Sequence, residues 1–496
     1  MKNDTAKKLT MKNTLDSRNA SDMESTTRSL VFAQSLLADS LDGIAKFLEL
    51  RGHTLLIKGN PGAGKTTLAL QLLKHFGEKN TIYVSTRESG EKLENEIPWA
   101  RTTLRRTAFE DVRLSSPSEI IEKVLAAQQR GRHKGKHRNV HAIVLDTWDG
   151  LAKEIADERE RLKAEKTLIS IADGSDLRII FVSEEPSKTT MDYLVDGIVE
   201  LSRFEESSRI FREIEMQKLR GTLIEQHKYL YTLAGGIFRH FVPYSSPDYS
   251  SAMKFPPLKD TSNGESFSFG SQELDNLFGG IGKGSSFAIE YDENVPYSAI
   301  RMIETPAVIN ALNIGRGVIM IPLPGSSIKH IFSLIKPFVS EEAFLKRFRI
   351  GTSRIFQVQN LESQMFSLTP SKIEDSQDSF NTALEEVTKN SADGGVLLVE
   401  AISLLENLFA TERESMLMRL AERTARVQQE SKDALMLLMQ EDSSVRSRVL
   451  AMSSHYVKLF VRDRSVVVMG EKPSTVAHVM EHSKKNPLLP SLTPIV

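Results

Sequence analysis

Residues 59–66 constrain the fold more than any other segment, because three glycines in eight positions lead into a lysine and a threonine. Gly59, Gly62 and Gly64 let successive backbone N–H groups converge at points where a Cβ atom would clash. Apolar residues precede this turn at 55–57 and follow it at 68–73, which is the strand–loop–helix order of a phosphate-binding loop. The segment therefore predicts a nucleotide-binding site formed by Gly59, Asn60, Pro61, Gly62, Ala63, Gly64, Lys65, Thr66 and Thr67.

The same loop predicts the chemistry of its ligand. In a P-loop the lysine reaches the β- and γ-phosphates and the hydroxyl after it coordinates magnesium, and these roles fall to Lys65 and Thr66. A second magnesium ligand is expected at the end of a neighbouring apolar strand, and residues 142–145 lead directly to Asp146. Many apolar runs end in aspartate, so the position downstream of the P-loop is what favours Asp146. The predicted ligands are ATP and Mg²⁺.

Hydrolysis of ATP would need a group that orients and polarises water. Glu88 is the candidate, because it follows the β-prone residues 81–84 that come after the P-loop helix. A simpler interpretation makes Glu88 a surface residue that opens the next helix, where a carboxylate interacts favourably with the helix dipole. The residues alone leave both interpretations open.

Length and hydrophobic periodicity predict an α/β protein with two domains, since 496 residues exceed one ordinary hydrophobic core. In both halves β-prone runs alternate with helical segments, a pattern typical of largely parallel central sheets flanked by helices. A proline-rich stretch separates the halves. The predicted boundaries are a flexible polar tail at 1–28, a first domain at 29–240, a linker at 241–264, a second domain at 265–480 and a C-terminal tail at 481–496.

Charge and composition exclude several classes of protein. Lys and Arg total 64 against 65 Asp and Glu, so the whole molecule has no net field that would hold nucleic acid or an anionic membrane. Cysteine is absent, which excludes disulfides and thiolate chemistry. The chain opens without a signal-peptide pattern, and no segment has the roughly 20 uninterrupted apolar residues that span a bilayer. We expect a cytoplasmic protein that makes no membrane contact.

The residues around the P-loop resemble the RecA superfamily and, within it, the KaiC-like ATPases. Residues 83–89 are similar to the strand in which KaiC-like proteins carry two adjacent carboxylates; Arg87 replaces the first and Glu88 matches the second. Residues 216–222 resemble the KaiC-like Lys-Leu-Arg-Gly segment, whose basic side chains reach the γ-phosphate bound by the adjacent subunit. The resemblance implies that role for Lys218 and Arg220, and with it a homo-oligomer. Sequence physics alone favours an exposed basic pair on a strand.

The second half begins like another RecA-like core at residues 267–280, but it lacks a P-loop. Glu290, Asp292 and Glu293 follow the β-prone residues 287–289, where carboxylates would repel a triphosphate. Glu400 falls at the position expected for the second magnesium ligand. The resemblance therefore implies two RecA-like P-loop NTPase domains, the second of them degenerate and without ATPase activity. That second domain is expected to bind a partner or to pack on the first.

Tandem domains of this kind, with an active first half and an eroded second, also resemble the GvpD-like regulators. The resemblance implies a regulatory, signalling ATPase whose nucleotide state controls assembly or the binding of a protein partner through the second domain. Two alternatives stay open: a nucleotide-sensing module with negligible turnover, and a RecA-type ATPase of DNA recombination or repair. Nucleic-acid contact is not favoured, because the basic run 130–138 contains two glycines and no aromatic interleaving, as a solvated loop does.

Overall fold

The computed structural model describes residues 42–76, 80–112, 116–132, 140–261, 264–353 and 361–496. The chain forms two compact units, one that extends to Val242 and includes Val496, and one from Pro243 to Ile495. The predicted tail at 1–28 lies outside the described residues. In the described part of the chain, no helix combines the length and the apolar character needed to cross a bilayer.

The first unit alternates strands and helices before it ends in antiparallel strands. Its strands are β1 (Thr54–Gly59), β2 (Thr81–Ser85), β3 (Ala108–Asp111), β4 (Ala142–Asp146), β5 (Arg178–Ser183), β6 (Gly197–Glu206), β7 (Arg209–Leu219), β8 (Lys228–Thr232) and β9 (Arg239–His240). Its described helices are α1 (Asp42–Glu49), α2 (Lys65–His75), α3 (Gly90–Glu96), α4 (Ala100–Arg106), α5 (Pro117–Arg132), α6 (Trp148–Ala152), α7 (Glu158–Asp173) and α8 (Thr190–Leu194).

These strands form one sheet in the order β3-β2-β4-β5-β1-β6-β7-β8-β9. The pairs from β3 through β6 are parallel, and those from β6 through β9 are antiparallel. The central strands β1, β4 and β5 are buried along their whole length, because helices cover both faces of a parallel sheet. One core cluster packs α2 against the sheet, and another lies on the opposite face. The sheet thus holds the P-loop between β1 and α2 at the carboxyl ends of the parallel strands.

The second unit repeats the alternation with different chemistry. Its strands are β10 (Ser266–Phe267), β11 (Ile281–Gly282), β12 (Ser285–Tyr291), β13 (Gly317–Ile321), β14 (Phe348–Thr352), β15 (Met365–Ser367), β16 (Val396–Ala401), β17 (Ala434–Gln440), β18 (His455–Arg462), β19 (Ser465–Lys472), β20 (His478–His482) and β21 (Pro490–Pro494). Its described helices are α9 (Gln272–Phe278), α10 (Tyr297–Asn313), α11 (Ile328–Ile335), α12 (Glu341–Arg347), α13 (Ile373–Lys389), α14 (Ile402–Leu408), α15 (Arg413–Glu430) and α16 (Arg446–Met452).

The large sheet of the second unit has the order β15-β14-β13-β16-β17-β12-β18-β19-β20-β21. The run β14-β13-β16-β17-β12-β18-β19 corresponds strand by strand to β3-β2-β4-β5-β1-β6-β7, with the same change from parallel to antiparallel pairing at the last step. Two largely parallel sheets flanked by helices confirm the predicted α/β fold class. The antiparallel strands at the end of each sheet were not part of the prediction.

Two predicted boundaries differ from the structure. Residues 243–261, within the predicted linker, belong to the second unit, where Tyr244, Tyr249 and Phe255 pack against its core. The predicted tail at 481–496 contains β21, which pairs with β20 along five residues. Pro490 and Pro494 stand at the two ends of this edge strand, a position that proline tolerates because no interior ladder N–H is lost. The prolines that suggested irregular chain therefore lie in ordered structure.

The strand register corrects the prediction for Glu400. In the first unit Asp146 lies beside Val182, which lies beside Ile57. In the second unit Ile289 lies beside Leu438, which lies beside Ala401. Ala401 is therefore the counterpart of Asp146. Because side chains alternate along a strand, a one-residue difference places Glu400 on the opposite face of the sheet.

Glu400 has a structural partner on that face. It is fully buried, and Arg423 Nε lies 2.9 Å from its Oε1, although the two are not aligned as a hydrogen bond. Burial raises the pKa of Glu400, and the Arg423 charge opposes this shift. The Arg423 guanidinium also packs 4.9 Å from the ring centroid of Phe380. Glu400 thus belongs to the core of the second unit.

We expect Arg423→Met to lower the free energy of unfolding by about 3 kcal/mol at neutral pH, because it leaves a buried carboxylate without its counter-charge. The loss should shrink as the pH falls and the carboxyl becomes protonated. Urea denaturation of the full chain at several pH values measures both effects.

The matched control is the double variant Glu400→Leu with Arg423→Met, which removes both charges and should recover most of the stability. Equal stability of wild type and Arg423→Met at neutral pH would show that the ion pair does not stabilise the buried carboxylate.

Candidate nucleotide-binding site

The P-loop adopts backbone conformations that require its glycines. Gly62 and Gly64 have φ values of 77° and 89°, in the left-handed region that side chains other than hydrogen disfavour. A Cβ atom on Gly59 would lie 2.2 Å from the carbonyl oxygen of Leu201, and one on Gly64 would lie 2.8 Å from the Leu233 side chain. Nothing lies within 4 Å of a Cβ built on Gly62, so the loop is open there. The loop is therefore tightly packed at Gly59 and Gly64 and open at Gly62, where it forms the cradle.

The start of α2 faces this cradle with favourable electrostatics. The helix begins at Lys65 immediately after Gly64, and it has no side-chain cap and no acidic residue in its first turn. The N–H groups of a helix start and the positive end of its dipole favour an anion. This is the arrangement that the sequence predicted for phosphate binding.

Lys65 is held at the centre of the loop. Its Nζ donates hydrogen bonds to the carbonyl oxygens of Gly59 at 2.7 Å and Asn60 at 3.0 Å, and the side chain is buried. Burial lowers the pKa of Lys65, and the nearby carboxylates of Glu184 and Asp146 oppose this shift. Both carboxylates therefore favour the charged ammonium, the form that attracts phosphate.

Thr66 and Asp146 come together as predicted. The Thr66 hydroxyl donates to Asp146 Oδ2 at 2.7 Å, and the Tyr83 hydroxyl donates to the same oxygen at 2.5 Å. Burial raises the pKa of Asp146, while the hydrogen bonds from Tyr83 and Thr66 and the charge of Lys65 oppose the shift. Because both hydrogen bonds end on Oδ2, they leave Oδ1 for a cation.

These donors fit magnesium. A hydroxyl and a carboxylate are the hard oxygen ligands that Mg²⁺ prefers, and the ion usually completes its shell with water and substrate phosphates. Within the ranges that the structure describes, no group of three or more His, Asp or Glu side chains forms a metal cage. Thr66 and Asp146 would hold the ion together with water and the phosphates of a nucleotide.

An open cleft of about 400 Å³ surrounds these groups. It gathers the P-loop, the ends of β2, β4 and β5, and part of α3. Its lining residues are Pro61, Gly62, Gly64, Lys65, Thr66, Thr67, Tyr83, Ser85, Arg87, Glu88, Leu93, Glu96, Ile97, Asp146, Thr147, Glu184 and Leu233.

Glu88 lies in this cleft, next to the predicted magnesium ligands. Its backbone N–H donates to Ser85 Oγ at 3.1 Å, and that hydroxyl donates to the Glu88 carbonyl at 2.6 Å. The Glu88 carboxylate accepts a hydrogen bond from Lys92 Nζ at 2.9 Å, and both side chains are partly exposed. An exposed pair of this kind opens at little cost. Glu88 can therefore turn toward a ligand in the cleft.

Lys218 and Arg220 do not line the cleft of their own chain. Lys218 Nζ donates to the Val195 carbonyl at 2.5 Å, and Arg220 pairs with Asp196 at 2.9 Å. Burial, aided by the charge of Arg220, lowers the pKa of Lys218. Both residues lie where β7 ends beside the start of β6. Of the basic segment 130–138, residues 133–138 and the side chains of 130–132 lie outside the described residues.

Sequence reasoning missed several residues that support the loop. Tyr83 could have been found from the period of two along β2, which turns it to the face of Asp146. Arg212 donates to the Gly62 carbonyl at 2.9 Å, and Tyr231 donates to the Ala63 carbonyl at 2.5 Å. Arg212 lies in β7 and Tyr231 in β8, 150 and 168 residues from their partners in the P-loop. No local sequence pattern predicts contacts over such a separation.

The corresponding loop of the second unit, between β12 and α10, contains no glycine. Helix α10 begins at Tyr297, six residues after β12, just as α2 begins six residues after β1. Val295 is buried in the connecting loop, and the Tyr244 hydroxyl donates to Ser298 Oγ at 3.0 Å at the start of the helix. These contacts lie in the loop that corresponds to the P-loop of the first unit.

Two carboxylates near that loop, Glu290 in β12 and Asp292 after it, take part in ion pairs. Glu290 alternates onto the face away from α10, where it pairs with Arg446 at 2.5 Å, so it does not stand where a triphosphate would sit. Lys458 lies 3.8 Å from Glu290 and 3.9 Å from Asp292. Burial and the neighbouring Glu441 raise the pKa of Asp292 to about 6. These ion pairs therefore hold Glu290 and Asp292 within the second unit.

The chain is similar to known P-loop proteins. Residues 44–217 match the family described as GvpD gas vesicle protein, P-loop domain. Protein GvpD2 of Halobacterium salinarum is 27% identical over 322 residues, which cover 57% of this chain and 62% of that protein. Protein GvpD1 of the same organism is 25% identical over 302 residues, which cover 56% of this chain and 54% of that protein. The chain therefore matches somewhat more than half the length of these relatives.

A solved KaiC-like protein from Pyrococcus horikoshii OT3 overlays 39% of this chain and 90% of its own length, with 19% identity and a TM-score of 0.34. The parallel sheet and the glycine-rich loop define a P-loop protein, in agreement with the family match at residues 44–217. That match is to the GvpD P-loop domain, and the chain is similar to the two GvpD proteins over somewhat more than half of its length.

We expect Asp146→Asn to abolish the Mg²⁺-dependent thermal stabilisation by ATP while leaving the ligand-free protein as stable as wild type, or more stable by about 1 kcal/mol. The reason is that the raised pKa of Asp146 makes its ionised form costly in the folded state. That cost is absent below the ordinary carboxyl range near pH 4 and fully present above the folded pKa. The gain should therefore disappear as the pH falls. Thermal melts with and without Mg²⁺ and ATP measure both effects.

Asp176→Asn is the matched control, because Asp176 is an exposed carboxylate that pairs with Arg51 outside the cleft. Asp146→Asn protein that is still stabilised by Mg²⁺ and ATP as strongly as wild type would remove Asp146 from the metal site.

Proposed function

We propose that this chain is a regulatory ATPase in which the bound nucleotide controls assembly or the binding of a protein partner. The observation that carries the proposal is the convergence of Lys65, Thr66 and Asp146 in one open cleft. The family match supports nucleotide binding by this cleft. Turnover, regulation and partners go beyond that match.

The proposed reaction is phosphoryl transfer from ATP to water. A bond forms between the water oxygen and the γ-phosphorus as the bond to the β–γ bridging oxygen breaks, which yields ADP and phosphate. Thr66 and Asp146 would hold Mg²⁺, whose chemistry is to neutralise phosphate charge. Lys65 would contact the β- and γ-phosphates, and Glu88 would orient the water and accept its proton.

We expect Glu88→Gln to reduce phosphate release by about 100-fold, because the amide cannot accept a proton from water. ATP binding should change little, since Glu88 does not belong to the phosphate cradle. Single-turnover phosphate release, measured beside equilibrium ATP binding, separates the two effects.

Glu91→Gln is the matched control, because Glu91 is an exposed carboxylate in the first turn of α3. Equal phosphate release by wild type and Glu88→Gln would favour the alternative function, a nucleotide-sensing module with negligible turnover. Stimulation of hydrolysis by DNA would instead favour a RecA-type motor.

The proposal includes an assembly in which Lys218 and Arg220 act on the nucleotide of a neighbouring subunit. In one chain both side chains are tied to Val195 and Asp196, away from their own cleft. A basic group supplied in trans could stabilise charge on the transferred phosphoryl group. The second unit would bind the regulatory protein partner, since its loop after β12 has no glycines that could form a phosphate cradle. The family name of the relatives makes gas-vesicle regulation the proposed setting.

We expect ATP to increase the particle mass of wild type, and Arg220→Ala to lower its phosphate release by about tenfold or more, as removal of an arginine finger does. Mass photometry with and without ATP, combined with phosphate release, tests this. Arg51→Ala is the control, because Arg51 is an exposed arginine that also pairs with an aspartate. A wild-type monomer under both conditions would contradict action between subunits.

A further inference from the structure

An ion pair spans the cleft above the magnesium ligands. Arg87 Nη1 bonds to Glu184 Oε1, and both residues line the cleft that contains Lys65. Arg87 follows β2 by two residues, and Glu184 follows β5 directly. Because β4 lies between β2 and β5 in the sheet, the pair bridges the strand end that carries Asp146. This pair therefore lies where the terminal phosphate of a bound nucleotide would enter.

Both charges act on the P-loop lysine. The carboxylate of Glu184 raises the pKa of Lys65, and the guanidinium of Arg87 lowers it. The Arg87 side chain is 57% exposed and that of Glu184 is 32% exposed, so neither is locked by packing. Arg87 and Lys65 line the same cleft, so both face the space that a phosphate bound by Lys65 would occupy.

The backbone beneath Glu184 is fixed, which leaves its side chain as the movable part. Asp149 accepts hydrogen bonds from Ser183 Oγ at 3.0 Å and from the Glu184 N–H at 2.5 Å. Ser183 Oγ in turn accepts from the Glu185 N–H at 3.1 Å. The Glu184 carboxylate can therefore rotate away from Arg87 without a change in the loop.

We propose that Arg87 contacts the γ-phosphate of ATP and that Glu184 competes with this phosphate for the same guanidinium. The proposal rests on the proposed function, since it assigns a contact to nucleotide in the same cleft. A terminal phosphate carries more charge than a carboxylate and offers three oxygens to a planar guanidinium, so it displaces Glu184. ADP lacks that group and leaves the Arg87–Glu184 pair closed. The pair is thus a device that distinguishes ATP from ADP.

This contact does not follow from the pattern of the KaiC-like proteins. Arg87 stands where the resemblance places the first of two adjacent carboxylates. A positive charge at that position reverses the local field from repulsion of the γ-phosphate to attraction. The proposed discrimination between ATP and ADP therefore depends on Arg87 and Glu184 and not on the KaiC-like pattern.

The test is equilibrium binding of Mg²⁺–ATP and Mg²⁺–ADP by calorimetry to the full chain and three variants. Arg87→Ala should weaken ATP binding by about tenfold or more and ADP binding by less than about threefold, since a charge-assisted contact is lost with ATP alone. Glu184→Gln should strengthen ATP binding severalfold and leave ADP binding unchanged. In the double variant the gain from Glu184→Gln should vanish, because the competition requires Arg87.

Arg101→Ala is the matched control, because Arg101 pairs with Glu94 at 3.2 Å and does not line the cleft. Equal losses of ATP and ADP affinity in Arg87→Ala, or none, would overturn the proposed contact while leaving the nucleotide site intact. A gain from Glu184→Gln that persists without Arg87 would show simple charge repulsion and would overturn the competition. Wild type that binds neither nucleotide would overturn both this inference and the proposed function.

Discussion

The hydrogen bonds that Thr66 and Tyr83 donate to Asp146 connect the elements on which the site depends. They join the start of α2 to the middle of β2 and the end of β4, three separate segments of the chain. Burial makes the ionised aspartate costly, and these two donors offset part of that cost. The position of Lys65 over the loop carbonyls completes a cluster in which each charge has a partner. A cation and a phosphate can enter this cluster without creating an unpaired buried charge.

The two units show how the same strand order supports different chemistry. In each, a parallel strand leads through a short loop into a helix that packs on one face of the sheet. The first unit lines that loop with glycines in left-handed conformations, and backbone N–H groups can converge there. In the second unit Val295 is buried in the corresponding loop, and the Tyr244 hydroxyl donates to Ser298 Oγ at the start of the helix. Its core strands keep their apolar pattern, so the fold survives the loss of the cradle.

Exposed charged side chains line the mouth of the cleft. Arg87 and Glu184 follow the carboxyl ends of β2 and β5 and bond to each other. Arg87 would attract a nucleotide phosphate, and Glu184 would repel it. Glu88 lies beside them with an exposed partner in Lys92. The cleft thus combines a rigid floor, made by the P-loop and Asp146, with a mouth whose side chains are exposed. Nucleotide-dependent change is most readily accommodated where few buried contacts must be broken.

The sequence determined the P-loop, the β1 to α2 transition, Asp146 at the end of β4 and the α/β class, because each depends on a local pattern of glycines or apolar residues. It did not determine which carboxylates of the second unit face the loop, since that depends on strand register. One residue separates Ala401, the true counterpart of Asp146, from the buried Glu400. Arg212 and Tyr231, which support the P-loop carbonyls, and the Arg87–Glu184 pair were also decided by tertiary structure alone. Their partners meet only after distant strands pair, and no spacing along the chain records that pairing.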